Sequence, residues 1–144
     1  MIYKDDFELL HEIQKNAEYL SKNIKIVTQM IDDNQMELEL SKQNLDLSTI
    51  AGKAAKEVLN SNGRIYHDNV WSDIRQKNRL KRNMLFNISN SHIADIMIRE
   101  NQNCVANMWL AKKQYHNASA QSMEVAQEFL DIEKKIISSL KKYL

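Results

Sequence analysis

Residues 10–31 read LHEIQKNAEYLSKNIKIVTQMI. The apolar positions Leu10, Ile13, Ala17, Leu20, Ile24, Val27 and Ile31 follow one another at spacings of 3, 4, 3, 4, 3 and 4. A half-buried strand would alternate every second residue; this period is that of a helix lying lengthwise on another helix. The a-type positions continue as Leu38 and Leu45, while the d-type positions turn polar at Asn34, Ser41 and Ser48. The phase therefore predicts one helix over about 4–46, ending there or running on to 60. Beside the seam stand Gln14, Ser21, Thr28 and Gln35 on one side and Asn16 and Asn23 on the other, all uncharged. A parallel zipper would carry Glu and Lys at such positions, so a multi-helix bundle or antiparallel hairpin is expected.

The last arm repeats the pattern from Cys104 through Met108, Ala111, Tyr115, Ala118, Ser122, Val125, Phe129, Ile132, Ile136 and Ser139 to Tyr143. A second row, Met123, Ala126, Leu130, Ile137, Leu140 and Leu144, lies beside it. Two rows make a face wider than one helix covers. The expectation is that Phe129, Leu130, Ile136, Ile137, Leu140, Tyr143 and Leu144 bind a protein partner or a second copy of the chain.

Between the arms the strongest break is Asn60-Ser61-Asn62-Gly63, with Gly63 suited to the left-handed residue that ends a helix. Asp68 or Asn69 is placed to cap a helix beginning near Val70. Asn87–Ser91 forms a weaker joint of poor helix formers, and Leu47-Ser48-Thr49 with Gly52 a weaker one again. His116-Asn117-Ala118-Ser119 has a loop's composition, but the heptad phase runs through it. The helices expected are thus 4–46 or 4–60, 66–88 and 91–143, in a single domain over 1–144. At about 1.5 Å per residue the longer ones span roughly 60–80 Å. The fold class is all-α, an elongated bundle or antiparallel hairpin with coiled-coil-like packing.

Composition agrees. Among 144 residues there is no Pro and only two Gly, so hairpin-rich β architectures have little punctuation to work with. The N-terminus lacks an apolar signal-peptide core, and the apolar runs are too short to cross a bilayer. The one cysteine, Cys104, excludes an internal disulfide and suits a reducing, cytoplasmic setting, with a leaderless export route left open. Residues 1–50 carry five basic and ten acidic side chains, whereas 51–144 carry fifteen and nine. The arms should attract one another.

No motif carries chemistry with conviction. Glu8-Leu9-Leu10-His11 has the Glu-x-x-His spacing of di-iron bundles, but it occurs once and His11 points away from the seam. His92 with Asp95 reads as a helix-start histidine beside a local carboxylate. Cys104 sits on the seam as a small hydrophobe; Trp71 and Trp109 could each anchor an interface, though core packing is the more frequent fate of a lone tryptophan. No Ser-His-Asp order, phosphate loop or CxxC is present. No catalytic residue, metal ligand or cofactor is expected. Residues 75–82 place Arg75, Lys77, Arg79, Lys81 and Arg82 on one helix without an acid. Phosphate binding would use that row; the simpler reading is a solvated face answering Asp32, Asp33, Glu37 and Glu39.

Phe129-Leu130-Asp131-Ile132-Glu133 is similar to the aromatic-x-x-x-acid export signal of type VII secretion substrates. Small size and long helices also resemble the WXG family of those substrates, and the stalk-like hairpins of type III export machinery. The resemblance implies a helical hairpin that pairs with a larger partner. The Trp-x-Gly turn of the WXG family is absent: the turn carries Asn62-Gly63, and Trp71 is followed by Ser72-Asp73.

The sequence is thus read as a non-enzymatic protein-interaction module: an adaptor, assembly component or secretion-type chaperone. The alternatives are a nucleic-acid-binding regulator using the basic helix and, third, a metal-dependent bundle enzyme.

Overall fold

The computed structural model describes residues 4–67 and 69–144. The chain is an all-α bundle: α1 (Lys4–Thr28), α2 (Asn34–Asn60), α3 (Val70–Asn83), α4 (Asn90–Gln114) and α5 (Ala120–Lys141). Both long arms are folded back on themselves. The longest helix has 27 residues, about 40 Å, in place of the 60–80 Å rods expected from the heptad phase.

The first fold lies at residues 29–33. Ile31 stays buried under the turn, which is why the seam shows no gap in sequence. Asp33 then starts α2 afresh, its carboxylate accepting the Met36 N–H at 2.8 Å. The turn resets the phase. In α2 the buried stripe is Met36, Leu40, Gln43, Leu47, Ile50, Ala54 and Val58, while Leu38 and Leu45 face out. The weak joint considered at Leu47–Gly52 is ordinary helix.

Helix α2 ends at the predicted break, but with the roles exchanged. Asn62 takes the left-handed conformation (φ 61°), and Gly63 does not have a positive φ. The Gly63 N–H closes the end by bonding the Val58 carbonyl at 2.9 Å, with Asn62 N–H on Leu59 at 3.1 Å. Gly63 is required for closeness instead: a Cβ there would lie 2.3 Å from the Phe7 ring.

Cross-helix partners fix the topology. Ser21 of α1 bonds Asn44 of α2, and Gly63 beyond α2 abuts Phe7 near the start of α1, so these two are antiparallel. Asn107 reaches Asn16, and Glu100 reaches Tyr19, so α4 also runs against α1. Lys53–Glu128 (2.6 Å), Lys135–Asp46 (3.7 Å) and Lys142–Glu39 (3.7 Å) line the antiparallel α2–α5 edge. Two of these pairs join acids of the first arm to lysines of the last, in line with the charge asymmetry, while Lys53–Glu128 runs the other way.

The second fold, at 115–119, is capped from a distance. Ser119 starts α5, its hydroxyl accepting the Ser122 N–H. The Asp5 and Asp6 carboxylates at the start of α1 accept the N–H groups of Asn117 (3.1 Å) and Ser119 (2.7 Å). Helices α1, α2, α4 and α5 enclose the core, and α3 packs outside them on α1.

Candidate docking surface

The face expected to bind a partner is mostly interior. Phe129, Leu130, Ile136 and Leu140 are buried core residues, Ile137 and Tyr143 pack partly against them, and only Leu144 is largely exposed. Within the second row of α5, Ala126, Leu130 and Leu140 are buried, Met123 and Ile137 partly so, and Leu144 is exposed. Helices α1, α2 and α4 all pack against α5, and α2 is a separate helix in place of the rod expected over 4–46. Helix α3, within the segment expected over 66–88, packs on α1. The export-like motif is interior as well, with Phe129 and Glu133 both at 0% exposure.

The basic segment is arranged in two faces. Asn69 caps α3, its side chain accepting the Ser72 N–H at 2.7 Å; Asp68, the other cap considered, lies outside the described residues. Asp73 in the first turn and Lys81 and Arg82 in the last suit the helix dipole. The inner face is Gln76 and Leu80, with Met84 just beyond. Polar clips do much of the fastening. The Gln76 amide donates to the Tyr19 carbonyl (2.7 Å) and to Asn23 Oδ1 (2.6 Å), and Lys22 pairs with Asp73 at 2.6 Å. Arg79 pairs with Glu100 at 2.9 Å and also donates to the Tyr19 hydroxyl, which in turn donates to Glu100. Arg79 therefore answers Glu100 of α4, not the acidic 32–39 stretch.

The outer face of α3 carries Trp71, Ile74, Asn78 and Lys81, and Leu85 follows in the turn beyond its end; the spacings are 3, 4, 3 and 4, and all five are exposed. Trp71 is 71% exposed and Leu85 66%, values that core tryptophans and leucines do not show. Val70, Phe86 and Ile88 add further exposed apolar surface at the two ends. Arg75 and Arg82 flank the row on one side and Lys77 on the other. With Lys81, these make no ion pair among the described residues. Trp109 is also on the surface, with Lys112 over its ring at 4.8 Å. The core role expected for both tryptophans is corrected. What could have revealed Trp71 is its own heptad row, hidden because the basic residues dominate that segment.

Other polar groups are occupied structurally. His11 donates to the Arg64 carbonyl (2.6 Å), and His92 to the Asn83 carbonyl at the end of α3 (2.9 Å), while Asp95 pairs with Arg99. Tyr19, Arg79, Glu100 and Cys104 line a cleft of about 310 Å³ between α1, α3 and α4. Burial, reinforced by Glu100, pushes the Tyr19 phenol well above its usual range. Burial does the same to the Cys104 thiol, with Glu133 and Glu100 adding to it. Both shifts disfavour the ionised forms that a nucleophile would use.

Glu133 is the exceptional carboxyl. Among the described residues both its oxygens are buried without a hydrogen-bond partner, and desolvation pushes its pKa up to about 9. In the unfolded chain it ionises near pH ~4.3. Between these values the native state holds one more proton than the unfolded state. Stability should therefore fall as pH rises through that window, by at most about 1.4 kcal/mol per pH unit from this group. Glu133→Gln should flatten the profile in urea titrations between pH 5 and 9. Identical slopes for both proteins would show that Glu133 ionises freely in the fold.

No family model, curated protein or solved structure matches the chain. Among the described residues no helix is long and apolar enough to cross a membrane, and no cluster of three His, Cys, Asp or Glu is placed to hold a metal.

Proposed function

We propose that the protein is a non-enzymatic interaction module that receives a helix of a protein partner along the outer row of α3. The observation that carries the reading is the exposed row Trp71-Ile74-Asn78-Lys81 on α3, continued by Leu85 in the turn just beyond it, a helix-packing seam left facing solvent on a helix whose other face is already fastened. An amphipathic helix lays its anchors at i, i+3, i+4 and i+7, and this row offers the matching spacing. Exposed apolar surface concentrated at one place marks an interaction site more often than scattered single residues do. Adaptor, assembly factor and secretion chaperone all use such a surface.

Trp71→Ser with Ile74→Ser and Leu85→Ser tests the reading. Because these side chains are exposed, unfolding free energy should change by less than about 1 kcal/mol. Partner complexes seen by size-exclusion chromatography of source extracts should disappear. A triple variant that unfolds, or one that keeps its complexes, would contradict the assignment.

A further inference from the structure

We infer that the partner helix is acidic along both edges of its apolar stripe; this rests on the docking surface proposed above. In helix pairing, the residues beside the seam choose the partner by charge. Among the described residues, the charged side chains directly flanking this seam are basic: Arg75 and Arg82 on one side, Lys77 on the other, with Lys81 within the row; Asp73, one turn before Lys77, is held by Lys22 of α1. None of the four is neutralised by an ion pair among the described residues. The neighbouring Arg79 is already held by Glu100, so it belongs to the fold and not to the contact.

The same charges decide among occupants. A second copy seated through its own α3 would set these cations against one another. The exposed Leu38, Leu45 and Leu59 of α2 do not supply the complement, because Lys42 and Lys56 stand on that face beside Glu37. Duplex nucleic acid would satisfy the cations but leave Trp71, Ile74 and Leu85 without an apolar partner, and a single strand could stack on Trp71 but would leave Ile74 and Leu85 uncovered. A helix with a leucine stripe edged by Glu satisfies both demands. Asn78 and Lys81 in mid-row would set its register, since a polar residue in a seam favours one alignment.

The experiment uses full-length protein carrying Trp109→Phe, so that fluorescence reports Trp71. The probes are two synthetic three-heptad peptides with leucine seams, one with Glu at every flank and the other with Lys. The Glu-flanked peptide should bind and blue-shift Trp71 emission, with affinity falling as salt is raised. The Lys-flanked peptide should bind at least about tenfold more weakly, the combined effect of several exposed pairs that individually contribute little. Arg75→Glu with Lys77→Glu and Arg82→Glu should reverse the preference, a gain that misfolding cannot imitate. Equal binding of both peptides, abolished by Trp71→Ser, would overturn the acidic partner while leaving the docking row standing. Binding of neither peptide would overturn it too. So would tighter binding to phosphatidylserine vesicles or duplex DNA than to the Glu-flanked peptide at physiological salt.

Discussion

Ile24→Asp is expected to leave the chain largely unfolded at room temperature. Ile24 is 3% exposed and lies in the seam of α1, the helix that touches all four others. The substitution removes a large apolar side chain from the core and puts a carboxylate in its place. The lost burial and the cavity together cost several kcal/mol, and the buried charge adds to that. A loss of about 4–5 kcal/mol or more is comparable to the whole stability of many domains. Lys22→Asp, two residues away, is the control. Lys22 is partly exposed and paired with Asp73, so its reversal loses one surface ion pair and gains a repulsion, about 1 kcal/mol. Circular dichroism with urea titration separates the two. Equal tolerance at both positions would put the α1 seam on the wrong face.

Leu130→Glu with Ile137→Glu has the second large expected effect, and it is an effect on folding. From the sequence, these residues formed a row awaiting another subunit, and the double variant should then have separated subunits while keeping its helices. In the fold Leu130 is 6% exposed and Ile137 is packed against the core. Two carboxylates there should lower stability by about 3–5 kcal/mol and reduce helicity in the monomer. Sedimentation combined with circular dichroism distinguishes the outcomes. A variant that stays fully helical while changing mass would restore the α5 face as an intermolecular contact.

The all-α class and the α1 seam were legible because heptad spacing reports which face of a helix is buried. What the spacing does not report is where the chain reverses. Ile31 is buried inside a turn, so the pattern runs unbroken across the α1–α2 reversal. The α4–α5 reversal is stabilised by Asp5 and Asp6, more than one hundred residues away, and local sequence holds no trace of that capping. A sequence pattern that joins α1 and α2 in one rod leaves α5 one covering helix short, which puts the expected docking face there. The basic run was noticed for its charge, but its partition was not visible. Glu100 lies on α4, and only the packing of α3 on α1 brings Arg79 to it. The outer row of α3 was readable in principle. Its middle positions, Asn78 and Lys81, are polar, so it does not stand out as an apolar stripe.

The most direct measurement of the central claim is photo-crosslinking in the source cell from a benzophenone amino acid at Asn78, in the middle of the outer row. Lys134, exposed on α5, serves as the control position. If the outer face of α3 receives a partner helix, Asn78 should give discrete protein adducts whose crosslinked peptide is helical and apolar in its seam, and Lys134 should give none. Adducts at Lys134 with none at Asn78 would contradict the account.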